Sequence, residues 1–295
     1  MGGTEDCKSR IEKTVIHSIL GCTLQIILRF DEEFSPMESG ISLLLSPLAS
    51  LEPHLMVILM GIVFAGAFVT SGFGIGGGVL MTPLFIFFLP PKFGIGLLAP
   101  LLLLMSGTGV RQYWRQWDLH HVGVLLPASL VGVWLGSYLL AEISAEIVRK
   151  TVGVLAVAFG TIQLFTLARP AWGNRLCPTT WQGVCFGFAS GITSALAHTG
   201  GIVSSFYLLP HSRTKEIFVS TSLFLFFTSG LVKVGTYWYY HILTLQILWI
   251  SLALIPALIL GSSAGKWLNR HISNKLFLRL ISIFVAVMGM KLILG

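Results

Sequence analysis

The sequence predicts an all-α polytopic integral membrane protein with about 8–10 membrane segments in two internally duplicated halves. Its 295 residues are 54% hydrophobic and only 11% charged, whereas soluble domains carry about 25% charged residues. The mean hydropathy is +0.83, and the apolar residues form repeated stretches near the ~20 residues that span a bilayer. This composition excludes a soluble enzyme, a disordered chain and a nucleic-acid-binding domain, and it predicts a multi-pass protein of the cell membrane.

The first 52 residues differ in composition from the rest of the chain. They carry eight of the twelve acidic residues, and their main apolar run, residues 14–28, is interrupted by His17 and Gln25. Such a run is more typical of an interfacial helix than of a membrane span. We therefore interpret residues 1–52 as a polar and interfacial N-terminal extension.

Ten apolar segments follow this extension. Their predicted limits are 54–71, 77–90, 94–112, 121–141, 148–168, 183–197, 200–210, 217–239, 243–263 and 274–294. A polar, proline-containing linker, residues 169–182, separates a first transmembrane repeat (53–168) from a second (183–295). The duplication rests on residues that recur at an offset of 123: Thr70, Ser71, Gly77 and Gly78 recur as Thr193, Ser194, Gly200 and Gly201, and Ser106-Gly107 recurs as Ser229-Gly230.

Each half contains one break, where glycines and small polar residues interrupt the apolar sequence. The first break, residues 70–78, is too rich in glycine to hold a continuous helix, because each glycine costs about 1 kcal/mol relative to alanine. The second break, residues 193–201, occupies the matching position. Non-helical backbone survives at membrane depth only inside protein or beside a water-filled cavity. Matched breaks in duplicated halves are typical of secondary transporters, so we expect broken or re-entrant segments around a substrate site.

The residues of the breaks resemble a known family. Gly74-Ile75-Gly76-Gly77-Gly78-Val79-Leu80 followed by Pro83 resembles the first signature of the sulfite exporter TauE/SafE-like family, which includes transporters of the 4-toluene sulfonate uptake permease type. The stretch from Ser190-Gly191 to Gly200-Gly201 is similar to the second signature. The resemblance covers about residues 53–294. It implies a transporter of small sulfur-containing anions such as sulfite or organosulfonates.

We expect the anion to bind between the two breaks. A helix that begins at a glycine offers unpaired backbone N–H groups and the positive end of its dipole to an anion, and hydroxyl groups add further donors. The alternative for these small residues is close packing between membrane helices. The predicted anion-binding residues at the breaks are Thr70, Ser71, Gly77, Gly78, Thr193, Ser194, His198, Gly200 and Gly201.

Three ionisable residues are further candidates for contact with the anion. His198 lies within the second break, where it could carry a proton or bind the anion, although a structural role is the alternative. Lys233 and Arg111 lie late in the third segment of each half. Either cation could attract the anion, or it could extend to the lipid headgroups.

Several features are absent from the sequence. After residue 52 no acidic residue falls clearly inside an apolar segment, and the chain has no Walker motif. The histidines lack metal-binding spacings, so we expect neither a metal nor a cofactor. The expected partners are a small anion, the lipid bilayer and protons as the coupling ion. The sequence does not decide whether the protein forms a homodimer. The alternatives are an intramembrane hydrolase that uses Ser71 or Ser194 with His198, and a membrane anion sensor.

The basic residues predict the orientation of the protein. If all five segments of each half act as crossings, the halves are inverted, and ten basic residues collect on one face against five on the other. If each broken pair makes only one crossing, the halves are parallel and the split is nine against six. Basic residues near membrane ends mark the cytoplasmic face. We therefore expect loops 112–120, 169–182, 211–216 and 264–273 to be cytoplasmic.

Overall fold

The computed structural model describes residues 53–73, 77–168, 179–212, 214–268 and 274–294, which form ten α-helices and no β-strand. The predicted all-α class is confirmed. The N-terminal extension and most of the predicted linker lie outside the described residues, and so do Gly74, Ile75 and Gly76 of the first break.

Each of the ten predicted apolar segments coincides with one helix. In the first half the helices are α1 (Pro53–Phe73), α2 (Gly78–Phe88), α3 (Pro91–Gln112), α4 (Leu119–Glu142) and α5 (Ala145–Ala168). In the second half they are α6 (Thr180–Ala197), α7 (Gly200–His211), α8 (Lys215–Tyr239), α9 (Leu245–Leu268) and α10 (Asn274–Leu294).

Six of these helices, α1, α3, α4, α5, α8 and α9, are long and apolar enough to cross a membrane. The helices that follow the breaks are much shorter. Helix α2 has 11 residues and α7 has 12, about half of the ~20 residues that a crossing requires. Each break therefore leads into a helix that cannot span the hydrocarbon core by itself.

Polar residues in the connections determine where several helices begin. The Asp118 carboxylate accepts the His120 N–H at 2.9 Å at the start of α4. Thr179 forms a capping box with Gln182 at the start of α6. Side chains of this type satisfy backbone N–H groups that have no partner in the first turn of a helix.

Three helix pairs pack most extensively: α4 with α6, α5 with α10, and α1 with α9. Glycines bring their backbones close together. A Cβ atom added to Gly191 of α6 would lie 2.2 Å from the Ser129 carbonyl oxygen of α4, and one added to Gly265 of α9 would lie 2.2 Å from the Phe68 carbonyl oxygen of α1. Small residues permit such contacts between membrane helices. Because each pair joins one helix of each half, the two halves are interlocked.

The packing follows a two-fold pattern. If α1–α5 correspond in order to α6–α10, the α4–α6 contact corresponds to the α9–α1 contact. The α3–α8 and α5–α10 contacts then each join corresponding helices. Two duplicated halves would produce this symmetry of helix contacts. The duplication itself stays a prediction that the packing supports.

Candidate anion-binding site

The second break is a sharp reversal of the backbone between α6 and α7. Helix α6 ends at Ala197, and His198 adopts the left-handed conformation, with φ 54° and ψ 25°. Its N–H donates to the Ser194 carbonyl oxygen at 3.1 Å, and the Thr199 N–H donates to the Thr193 carbonyl oxygen at 3.3 Å. These bonds satisfy the last carbonyls of α6. A non-glycine residue in this conformation costs about 1–3 kcal/mol and often marks a functional site.

Lys233 of α8 extends to the end of α6 at this break. Its Nζ donates to the Ser194 carbonyl oxygen at 3.0 Å and to Ser194 Oγ at 2.8 Å, and it lies 3.2 Å from His198 Nδ1. The Lys233 residue is only 6% exposed and His198 only 7%. The snorkelling alternative is therefore wrong for Lys233, because its side chain points into the protein.

No carboxylate among the described residues neutralises this ammonium group. The four described acidic residues lie at helix ends: Asp118 precedes α4, Glu142 ends it, and Glu146 and Glu216 lie in the first turns of α5 and α8. The partners of Lys233 are neutral oxygen and nitrogen atoms, helped by the negative dipole end of α6. A buried charge without a counter-ion is costly, by several kcal/mol. An anion beside the ammonium group would offset that cost.

The first break presents small polar side chains around the start of α2. Thr70 Oγ1 donates to the Gly66 carbonyl oxygen at 2.7 Å, and Ser71 Oγ lies 2.7 Å from Ser262 Oγ of α9. A Cβ atom added to Gly77 would lie 2.0 Å from Thr70 Oγ1. Glycine at position 77 is thus what lets Thr70 pack against the beginning of α2.

The two breaks contact each other at Gly78 and His198. A Cβ atom added to Gly78 would lie 2.5 Å from His198 Cβ and 2.7 Å from the His198 carbonyl oxygen. His198 Nε2 is also 3.0 Å from the Ile95 carbonyl oxygen of α3. The histidine of the second half is therefore enclosed by two helices of the first half.

The family model of the sulfite exporter TauE/SafE matches residues 58–292, which include both breaks, Lys233 and Arg111. The chain belongs to the sulfite exporter TauE/SafE family. No curated protein and no solved structure matches it. Family membership confirms the resemblance that the break residues indicated. Together with the six apolar helices, it identifies the protein as a membrane transporter with several crossings of the cell membrane.

One predicted residue of this TauE/SafE protein, Arg111, is not buried beside Lys233 and His198. It is exposed in the last turn of α3. At the offset of 123, Lys233 corresponds to Val110, which is buried. The first half thus has an apolar side chain where the second half has an ammonium group. In the sequence Arg111 follows Ser106 by five residues whereas Lys233 follows Ser229 by four, and this mismatch was the signal for the difference.

The TauE/SafE chain also contains a cleft that the sequence did not reveal. It is lined by Ser129, Ser190, Ser194, Ser204 and Ser229, together with Leu125, Gly187, Gly191, Leu225 and Phe226. Ser194 joins this cleft to Lys233, since its Oγ accepts a hydrogen bond from Nζ. Sequence reasoning missed the other four serines because isolated serines are common in membrane helices. The pairing of Ser229 with Ser106 in the two halves, and the place of Ser190 in the second family signature, pointed to two of them.

Neither Ser71 nor Ser194 is hydrogen-bonded to His198, as the hydrolase alternative would require. Ser71 is bonded to Ser262, and Ser194 Oγ is bonded to Lys233. The His198 ring nitrogens lie against Lys233 and the Ile95 carbonyl oxygen. In that alternative His198 would be the base within hydrogen-bond reach of the serine, and it does not occupy that position.

Proposed function

We propose that this protein is a secondary transporter that moves sulfite or a related small sulfur-containing anion by alternating access. The anion binds where the two breaks meet, beside Lys233 and Ser194. The observation that carries the proposal is the buried ammonium group of Lys233. Among the described residues, all of its hydrogen-bond partners are neutral. Intramembrane ionisable residues of this kind are typical of substrate pathways.

The serine-lined cleft supports an entry route to this site. Four of its hydroxyls donate to backbone carbonyls: Ser129 to Leu126, Ser190 to Gly200, Ser204 to Gly201, and Ser229 to Leu225. Each hydroxyl can rotate and donate to an oxyanion instead, because a hydroxyl has one rotatable proton. A path of hydroxyl groups binds an anion without adding fixed charge, so the anion can leave again.

In the described conformation the serine-lined cleft is too small to hold sulfite. The cleft has a volume of about 10 Å³, which is at the lower limit for a single water molecule. Sulfite is larger than water, so helices around the cleft must separate during transport. The interlocked pairs α4–α6 and α1–α9 favour movement of the short helices α2 and α7 over rocking of whole halves.

The test is sulfite flux into proteoliposomes for the wild type and for Lys233→Gln. Hydrogen bonds to charged groups contribute about 1.5–3 kcal/mol, so we expect the variant to bind sulfite about 10- to 100-fold more weakly. Screening by salt acts mainly on exposed charges, and Lys233 is buried. The ratio of the sulfite affinity of the wild type to that of Lys233→Gln should therefore be similar at low and high salt.

Lys92→Gln is the matched control. Its ammonium also donates to a carbonyl oxygen near the end of a helix, Ala141 of α4, at 2.6 Å, but it is not among the residues of the site. We expect near-normal flux in this variant. Sulfite flux that is normal in Lys233→Gln, with the protein correctly inserted, would remove the basis of the proposal. Cleavage of a peptide or ester substrate without flux would favour the hydrolase.

A further inference from the structure

The hydrogen bonds around His198 define its protonation state in this conformation. Nε2 lies 3.0 Å from the Ile95 carbonyl oxygen, which can only accept, so Nε2 carries a proton. When Lys233 is an ammonium group, its Nζ has three protons for three neighbouring acceptors: two atoms of Ser194 and His198 Nδ1. Nδ1 must therefore offer its lone pair. His198 is neutral, and it is one of the three ligands of the ammonium group.

An anion that binds Lys233 must replace one of these three ligands. The Ser194 carbonyl belongs to the last turn of α6 and also accepts the His198 N–H, so it is held in place by the backbone. Ser194 Oγ belongs to the same residue and can still donate to an anion through its own proton. The imidazole is the ligand that offers an anion no proton in its neutral form, since its one N–H is bonded to Ile95.

We propose that the anion displaces His198 Nδ1 from Lys233 and that His198 takes up one proton from water as it does so. This inference rests on the proposed function. The proton binds to the Nδ1 lone pair, and the imidazolium then donates through Nδ1 to the anion, while Nε2 keeps its bond to Ile95. Without the anion, protonation would place two cations 3.2 Å apart, so the proton and the anion bind together.

The groups that face His198 are consistent with this exchange. Lys233 and Tyr237 of α8 are the titratable side chains that approach the ring or its neighbouring backbone among the described residues, and the Tyr237 hydroxyl donates to the Ala195 carbonyl oxygen. Helix α2 contributes Gly78 and α3 contributes the Ile95 carbonyl. The other titratable side chains of α3 and α7 are engaged or placed elsewhere: Lys92 binds Ala141, Arg111 is exposed, and Tyr207 and His211 stack on each other.

Linkage makes the coupling reciprocal, so binding of the proton strengthens binding of the anion by the same factor. For one linked proton, the affinity of the protein for the anion rises by up to about tenfold per unit decrease in pH. The transported species is then one anion with one proton, which reduces the charge that crosses the membrane with each cycle.

The test is nitrogen NMR of protein labelled with ¹⁵N-histidine and reconstituted in nanodiscs, with and without sulfite. The signal that disappears in His198→Asn belongs to the His198 ring. Asparagine is chosen because it tolerates the left-handed backbone and does not titrate. His241→Asn is the matched control, since His241 is exposed and has a similar φ of 56° against 54°. If His198→Asn fails to fold, ¹⁵N-lysine labelling identifies the ring through its contact with Lys233.

We expect the free protein to show His198 protonated at Nε2 only, and sulfite to convert it to the doubly protonated ring in the wild type and in His241→Asn. The ratio of sulfite affinities of the wild type and His198→Asn should rise by up to about tenfold per unit decrease in pH. Comparison with the variant cancels the titration of sulfite itself.

Two other outcomes are distinguishable. Sulfite that binds, as measured by calorimetry, while His198 stays neutral would overturn the proton exchange and leave the proposed function intact. Wild-type protein that binds no sulfite at all would overturn the proposed function and this inference with it.

Discussion

The contact between the two breaks can be tested with one methyl group. In Gly78→Ala the new Cβ would lie 2.5 Å from His198 Cβ and 2.7 Å from the His198 carbonyl oxygen. Carbon atoms pack at about 3.5–4.0 Å, so α2 or the second break must move by about 1 Å. The closest atoms belong to the backbone or lie next to it, so no flexible side-chain end can absorb the overlap.

Overpacking of this kind costs about 1–3 kcal/mol. Gly61→Ala is the matched control, because an added Cβ at Gly61 of α1 has nothing within 4 Å. That variant should gain up to about 1 kcal/mol from the higher helix propensity of alanine. Gly153 also lies outside the breaks but is unsuitable as a control, because its added Cβ would lie 2.8 Å from the Gly289 carbonyl oxygen.

The assay measures the melting temperature in detergent and sulfite flux in proteoliposomes for both variants. A free-energy change of 1 kcal/mol shifts the melting temperature by about 2–4 °C in proteins of 150–250 residues. We therefore expect Gly78→Ala to melt several degrees below Gly61→Ala. Its flux should also fall, since a shift of about 1 Å disturbs the His198–Lys233 bond. Equal melting temperatures and wild-type flux in both variants would refute the contact between the breaks.

Three further predictions concern the same region and the orientation of the chain. Gly200→Ala should lower both stability and flux, because its Cβ would lie 2.3 Å from the Ser190 carbonyl oxygen; a normal melting curve would contradict this. Tyr237→Phe removes the donor to the buried Ala195 carbonyl, which should cost about 1–3 kcal/mol and lower the melting temperature without changing the protonation of His198. In a cysteine-free background, Trp114→Cys should react with an impermeant maleimide from the cytoplasmic side only, and Ser144→Cys from the outside only; the reverse pattern would overturn the predicted orientation.

The sequence by itself determined the architecture of the membrane part. In lipid, every backbone N–H and C=O group needs a partner within the protein, and a helix supplies those partners locally. Apolar stretches of suitable length therefore had to become helices, and each of the ten predicted segments did. The position of the second break was predictable from its small polar residues, but its turn is made by His198 and Thr199, and Gly200 and Gly201 lie inside the helix that follows.

The tertiary structure decided which polar groups meet. In the sequence, Lys233 and Arg111 lie near the ends of corresponding segments but one residue apart in register; one is buried against Ser194 and His198 and the other is exposed. A difference of one residue in register turns a helical side chain by about 100°, which is enough to move a cation from the interior to the surface. The meeting of Gly78 with His198 depends on the packing of helices more than 100 residues apart, and local sequence carries no record of that packing.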